Sequence, residues 1–188
     1  MSTLYSVGLM NQLGDALEAA GYAPGDVTDL RSKIEALKQL KGVLNGTSEI
    51  IEVKHIIDLN ADPFVPDNWK VEEHIKGGLL EWHPSKVAFY LSAQQKGGSI
   101  KGNKLRKELK GKPVFNACLL DYLLAHPQLI PESWKGKYIC FWGTVYRDSD
   151  GNLFVRCLYW FGGHWCWSYY WLDDDFDDYR PALLASGE

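Results

Sequence analysis

Apolar positions recur at three- and four-residue intervals over the first quarter of the chain. The two runs are Leu4, Val7, Leu9, Leu13, Leu17 and Ala20, then Leu30, Ile34, Leu37, Leu40 and Leu44. This period is typical of amphipathic helices. Gly21 and Asn45-Gly46 end the runs, and Pro24-Gly25-Asp26 forms a turn between them. The pattern predicts a helical hairpin over residues 3–46, within an N-terminal domain of residues 1–47.

The next segment changes to strand-like composition. Residues 49–53 and 55–59 are rich in β-branched side chains, which favour short strands. Pro63 and Pro66 withdraw backbone donors and restrict their neighbours, so residues 58–69 are predicted to form a loop.

Three helices are predicted further along. The first begins at Pro84, a residue tolerated in a first turn, and ends near Gln95. The second is a basic helix at about residues 103–109. The third follows Asn116, a favourable N-cap, over Ala117–Ala125 and stops before His126-Pro127. Residues from 48 to about 137 therefore form a mixed α/β middle.

From Tyr138 the period is that of a strand. Asp148-Ser149-Asp150-Gly151 and Gly162-Gly163 are strong hairpin turns. They separate antiparallel strands predicted at about 138–146, 153–161 and 164–171. The predicted fold class is α+β, with an N-terminal helical hairpin and a C-terminal three-stranded antiparallel aromatic meander. The second domain, residues 48–188, ends in this meander and an acidic tail.

The two turns set a register and thereby two faces of the meander. Trp160 is placed opposite Trp165, Leu158 opposite Trp167, Phe154 opposite Trp171, and Phe141 opposite Leu158. The predicted core face carries Ile139, Phe141, Val145, Phe154, Leu158, Trp160, Trp165, Trp167, Tyr169 and Trp171. The opposite, mixed face carries Tyr138, Cys140, Trp142, Thr144, Tyr146, Val155, Cys157, Tyr159, His164, Cys166, Ser168 and Tyr170. A bulge would move residues between the faces.

The mixed face is the predicted binding surface. Its rings have polar groups and offer large, rigid contact areas, which suit a protein interface. The residues chosen are Tyr138, Trp142, Tyr146, Tyr159, His164 and Tyr170. Alternatively, the N-terminal helices cover this face in a three-layer arrangement and the surface becomes core. The function favoured is non-catalytic binding of an unidentified protein partner, through this face or the N-terminal helices; the oligomeric state stays open.

Composition fits a folded domain, and the charge distribution adds a second hypothesis. The chain has 188 residues, 46% hydrophobic content and a net charge of −4, which excludes disorder as the default. Residues 96–112 hold seven Lys or Arg against Glu108 alone, whereas 173–178 hold five Asp. The alternative function is nucleic-acid binding through Lys101, Lys104, Arg106, Lys107 and Lys110. A solvated basic helix face is the simpler interpretation.

The cysteine spacing is relevant to metal binding, and the N-terminal segment to the cellular location of the protein. The sequence contains no CxxC motif, and Met1 to Asn11 lack the features of a signal peptide, so reduced thiols in a cytoplasm are expected. The apolar stretch 153–172 includes Arg156 and His164, which argues against a membrane span. An EF-hand starting at Asp148 would need a carboxylate where Tyr159 stands. No metal site and no cofactor are predicted.

A hydrolase is the third hypothesis. The candidate acids and bases between positions 55 and 83 are His55, Asp58, Asp62, Glu72, Glu73, His74 and His83. The sequence has no nucleophile elbow, phosphate loop or HExxH motif to organise them. An enzyme is therefore the less favoured class.

Several longer motifs run through the second domain. The first are His55-Ile56-Ile57-Asp58, Ala61-Asp62-Pro63-Phe64-Val65-Pro66, Trp69, Glu73-His74, Pro84-Ser85-Lys86-Val87 and Gly102-Asn103-Lys104-Leu105-Arg106-Lys107. They continue with Asp121-Tyr122-Leu123-Leu124, Trp134-Lys135-Gly136-Lys137-Tyr138 and Phe141-Trp142-Gly143-Thr144-Val145-Tyr146-Arg147-Asp148. With these motifs the chain resembles a family of small, uncharacterised bacterial proteins, many of them from metagenomic and candidate-phylum genomes, over about residues 55–185. The resemblance implies a bacterial source and no known activity, so it assigns no site residue.

Overall fold

The N-terminal part of the chain is helical. The computed structural model describes residues 4–51 and 53–186, and the chain forms two compact units, Met1–Val53 and Lys54–Glu188. The first unit contains α1 (Val7–Ala19), α2 (Pro24–Leu30) and α3 (Ile34–Leu44). The predicted two-helix hairpin is therefore a three-helix segment. The second predicted helix is interrupted after Leu30, where the Ser32 hydroxyl donates a 2.7 Å hydrogen bond to the Asp29 carbonyl and favours a turn.

The second unit combines short strands and helices with one long sheet. Its strands are β1 (Ile56–Asp58), β2 (Lys70–His74), β3 (Leu79–Glu81), β4 (Val87–Tyr90), β5 (Ile100–Lys101), β6 (Ile139–Arg147), β7 (Leu153–Phe161), β8 (His164–Trp171), β9 (Asp175–Phe176) and β10 (Ala182–Ala185). Its helices are α4 (Ala93–Lys96), α5 (Gly102–Leu109) and α6 (Ala117–Ala125), with single 3-10 turns at Pro84–Lys86, Pro127–Leu129 and Glu132–Trp134. The protein thus contains both helices and strands, as an α+β fold requires.

The main sheet has six strands rather than the three predicted. The order is β4-β10-β6-β7-β8, and β2 also pairs with β6. The β10–β6 pair is parallel and the other pairs are antiparallel, so the sheet is mixed. The predicted meander forms the β6-β7-β8 part of it. The added strands come from short segments whose partners lie far away in sequence.

The register of the last hairpin agrees with the prediction from its turn. Trp160 lies opposite Trp165, and Phe154 opposite Trp171. Gly162 and Gly163 adopt φ of 60° and 85°, which a tight two-residue hairpin requires.

The β6–β7 register differs from the prediction for two reasons. Arg147 lies opposite Leu153, so the loop is one residue longer than the predicted turn at 148–151, and β6 contains an irregularity between Cys140 and Val145. Ile139, not Phe141, lies opposite Leu158, while Val145 lies opposite Val155. Val145 consequently joins the mixed face, and Thr144 and Tyr146 lie on the core face. The change occurs around Gly143, whose backbone packs closely against residues 115 and 116.

Both faces of the main sheet are largely covered, and the elements packed on the mixed face belong to the second unit, whereas the alternative named the N-terminal helices. On the core face, Leu119, Leu120 and Leu123 of α6 pack against Ile139 and Leu158. On the mixed face, apolar residues from α5, β5 and β9 pack in the same way. The second cluster includes Ile100, Leu105, Leu109, Cys140, Trp142, Val155, Cys157, Leu172 and Phe176. Full burial of each aliphatic side chain stabilises the fold by roughly 1.5–3 kcal/mol.

Three other predictions are wrong. The helix expected over 84–95 is β4 followed by the short α4, because Val87–Tyr90 pair with β10. The strand expected at 49–53 is absent from the described residues 49–51 and 53. Cys140 and Cys157 lie opposite each other and form a disulfide, whereas reduced thiols were expected.

Candidate binding surfaces

Three tyrosines of the mixed face form a half-buried cluster beside β8. Tyr138 stacks on Tyr159 with ring centroids 4.9 Å apart, and meets Tyr170 edge to face at 5.7 Å. Arg180 covers the group, with its guanidinium 4.3 Å from the Tyr170 ring and a 3.0 Å hydrogen bond to the Tyr170 hydroxyl. We call Tyr138, Tyr159 and Tyr170 the tyrosine cluster. All three residues are partly exposed.

Two residues of the predicted surface are instead buried. Trp142 is 3% exposed and packs against Phe176 beneath α5. Tyr146 is turned to the core face by the β6 irregularity, where its hydroxyl donates a 3.0 Å hydrogen bond to the Phe64 carbonyl. Burial raises the pKa of Tyr146 to about 12, which keeps the phenol neutral. Neither residue can contact a partner directly in this conformation.

The remaining predicted residue, His164, is exposed at the start of β8. Its neighbour across the turn, Phe161, is 68% exposed, and Phe161 lies 6.4 Å from the Tyr159 ring. The exposed part of the predicted surface therefore continues from the tyrosine cluster to the turn at the end of β7.

The outer edge of β8 is open. Among the described strands, β8 pairs with β7 alone. The amide of Leu172 donates to the Leu153 carbonyl at 2.8 Å, which makes Leu172 a hydrogen-bonded position. Because hydrogen-bonded and non-hydrogen-bonded pairs alternate, the N–H and C=O groups of Trp167 and Tyr169 point away from β7. We call the backbone groups on this side of β8 the β8 edge.

Aromatic residues also flank the β8 edge on the core face. Trp69 stacks on Phe154 at 4.6 Å and contacts Tyr169 edge to face at 5.0 Å. Tyr169 and Trp171, both predicted to be core, are exposed because α6 covers the other end of the face. The sequence did not associate Trp69 with this surface, since a loop residue has no periodic pattern to place it.

The basic helix α5 is partly neutralised by acidic residues. Lys101 pairs with Asp175 of the acidic tail at 2.9 Å, and Arg106 with Glu73 at 2.6 Å. Lys104, Lys107 and Lys110 have no carboxylate partner within the described parts of the chain. Of the five predicted nucleic-acid contacts, these three lysines are the unpaired ones.

The candidate acids and bases of a hydrolase bond to other groups. The His55 Nδ1 lies 2.9 Å from the Tyr122 hydroxyl, and the His74 Nδ1 lies 2.9 Å from the Thr144 hydroxyl. His83 interacts with Ser85 at the Pro84–Lys86 turn. No hydrogen bond joins two of the candidates within residues 53–186, although Asp58 and Asp62 both lie near the Cys118 thiol. No cluster of three or more His, Cys, Asp or Glu suited to a metal ion occurs among the described residues.

Comparisons with protein-family models, with curated proteins and with solved structures found no match. None of the helices in the described part of the chain is long and apolar enough to cross a membrane.

Proposed function

We propose that this protein is a non-catalytic binding protein that accepts an extended segment of another protein along the β8 edge. The observation that carries the proposal is the combination of an eight-residue strand, an open edge and exposed aromatic rings on both sides of it. Strand addition to such an edge provides affinity through main-chain hydrogen bonds and specificity through the side chains on each face.

The composition of β8 supports binding. Monomeric proteins protect an edge strand with charges, proline or short length. β8 is the segment His-Trp-Cys-Trp-Ser-Tyr-Tyr-Trp, which has no Lys, Arg, Asp, Glu or Pro. Exposed aromatic residues such as Phe161, Tyr169 and Trp171 offer contact area at low conformational cost. An added strand would have Tyr169 and Trp171 on the core face and the tyrosine cluster with Phe161 on the mixed face.

A proline scan tests the proposal. Tyr169→Pro removes an N–H that points outward, so the ladder with β7 keeps its hydrogen bonds while strand addition is blocked. Phe89→Pro is the matched control. Phe89 lies opposite Leu183, and the Leu183 carbonyl accepts from the Phe115 amide, on the side away from β4. The pair is therefore not hydrogen-bonded, and the Phe89 N–H points outward from the opposite edge of the sheet.

Proteins captured from the source cells by each variant are quantified by mass spectrometry, with sedimentation velocity measured in parallel. We expect Tyr169→Pro to lose a partner that the native chain and Phe89→Pro retain. Loss of a dimer in the same variant would identify the partner as a second copy. Equal capture by all three chains would contradict the proposal.

Nucleic-acid binding is the second candidate, favoured by Lys104, Lys107 and Lys110, which lack carboxylate partners among the described residues. Each phosphate contact adds about −0.7 to the slope of log affinity against log salt for a single strand. A slope of about −2 for a short oligonucleotide, reduced by Lys104→Gln, would support this function; a flat response would exclude it.

A further inference from the structure

A cavity of about 400 Å³ lies between α5, the end of β2 and the mixed face of β6. Lys107 and Lys110 contribute to its exposed part, and Leu109 and Trp142 contribute buried apolar surface. The cavity therefore combines a basic side with an apolar side. None of its lining residues belongs to β8, so binding of a ligand there would be a function additional to the proposed one.

The charges around the cavity are unbalanced. Arg106, Lys107 and Lys110 face one carboxylate, Glu73, which pairs with Arg106 at 2.6 Å. The acidic tail reaches the cavity at Asn103, whose side-chain amide donates to Asp173, while Asp175 accepts from Lys101, which is not a lining residue. Two cationic side chains thus remain without a carboxylate partner among the described residues lining the cavity.

Trp142 supplies apolar surface to the cavity. The residue is 3% exposed and packs against Phe176. Its indole N–H has no acceptor among the described residues and essentially no solvent-accessible surface, so a molecule in the cavity would contact the ring and not the N–H.

We propose that the cavity binds a small phosphate monoester with an apolar body. A phosphate monoester carries about −1.5 to −2 charges at pH 7, which matches the two unpaired lysines. The phosphate faces Lys107 and Lys110, and the apolar body packs on Leu109, Val114 and the Trp142 ring. A few polar groups converging on an apolar cavity of this size are typical of small-molecule sites.

The test is a titration with phenyl phosphate, followed by ¹H–¹⁵N correlation spectra of the tryptophan indole groups. Trp142→Phe assigns the Trp142 indole resonance by its disappearance. Inorganic phosphate and phenol, titrated separately, measure the contributions of the anionic and apolar parts. We expect saturable binding of phenyl phosphate, a shift of the Trp142 indole resonance, and weaker binding of either part alone.

The lysine variants supply a readout that does not depend on Trp142. Lys107→Gln with Lys110→Gln should weaken phenyl phosphate binding at least about tenfold, as expected for the loss of two charge-assisted hydrogen bonds. Lys104→Gln is the matched control, because Lys104 lies on the same helix but does not line the cavity.

Three results would overturn the proposal. The first is the absence of saturation with phenyl phosphate. The second is an equal loss in Lys104→Gln, which would indicate general attraction by the helix. The third is binding that leaves the Trp142 resonance unchanged. If the first result is accompanied by tight binding of an oligonucleotide, the lysines belong instead to a nucleic-acid surface.

Discussion

The guanidinium of Arg156 lies 2.8 Å from the carboxylate of Asp121, Nη1 to Oδ1, joining the middle strand β7 to α6. Arg156 is 1% exposed, and its charge also stacks against Trp167, 4.5 Å from the ring centroid. The contact is an ion pair rather than a well-aligned hydrogen bond, because neither Nη1 nor Nε has a hydrogen-bond acceptor among the described residues. The Asp121 carboxylate therefore provides the main compensation for the buried positive charge of Arg156.

Removal of Asp121 should destabilise the fold. Breaking a buried pair from one side costs about 3–5 kcal/mol, and we expect about 2–3 kcal/mol for Asp121→Asn because Asp121 reaches solvent. Urea unfolding followed by fluorescence measures the change. Asp62→Asn, at an exposed carboxylate, is the control and should stay within about 0.5 kcal/mol of the native chain. Equal stability of both variants would show that Asp121 does not compensate the Arg156 charge.

Gly143 is the position at which the β6 register changes, and it should tolerate no side chain. A Cβ there would lie 2.8 Å from backbone atoms of Phe115 and Asn116, at the start of α6. We expect Gly143→Ala to cost about 1–3 kcal/mol through overpacking. Gly97→Ala, where no atom lies within 4 Å, is the control. A neutral effect of Gly143→Ala in thermal unfolding would mean that α6 can move away from the sheet.

Local patterns predicted the parts of the fold that local chemistry decides. Asn116 caps α6 over the predicted residues, and Gly162-Gly163 sets the β7–β8 register. Pairing between distant segments was not predictable: Val87–Tyr90 form a strand because β10, almost a hundred residues away, pairs with them. A four-residue apolar segment fits either a helix or a strand until its partner is known.

The candidate surface likewise has a part that local sequence patterns predict and a part that depends on contacts between distant segments. The tyrosine cluster follows from the alternation of β7 and β8, which the turn determines. The burial of Trp142 depends on α5 packing over the mixed face, and that of Tyr146 on the irregularity in β6. Neither feature has a local pattern, since the glycine responsible is required by a tertiary contact with residues 115 and 116.

Cys118 should be protected from alkylation at neutral pH. Burial, reinforced by the nearby Asp121, raises the pKa of the Cys118 thiol from 9.0 to about 11. The folded state holds this proton more tightly than the unfolded state, so this contribution to stability is complete below pH 9 and is lost as the pH rises towards 11. Iodoacetamide labelling followed by peptide mass spectrometry should modify the half-buried Cys166 first. Faster labelling of Cys118 at pH 8 would contradict the prediction.

The Glu72–Arg147 pair between β2 and β6 should contribute to acid sensitivity. Arg147 donates hydrogen bonds of 2.8 and 2.7 Å to the two carboxylate oxygens, and these lower the pKa of Glu72 below its ordinary value of 4.5. A lowered pKa means that the stabilisation is present above pH 4.5 and is lost as the pH falls through the folded-state pKa. Glu72→Gln should flatten the pH dependence of the unfolding midpoint in that window. An unchanged pH profile would assign the acid sensitivity to other carboxylates.

The helices of the N-terminal unit expose apolar residues, and we predict that they are a second surface for the proposed partner. No residue of α1, α2 or α3 is buried, and α3 exposes Ile34, Leu37 and Leu40. Exposed apolar groups of this kind mark interaction sites. We expect Leu37→Ser with Leu40→Ser to reduce binding of a hydrophobic dye and capture of the partner, while the unfolding midpoint of the second unit stays unchanged. Phe89→Ser, at an exposed ring of the second unit, controls for the general loss of apolar surface; if it reduces capture equally, α3 is not the docking element.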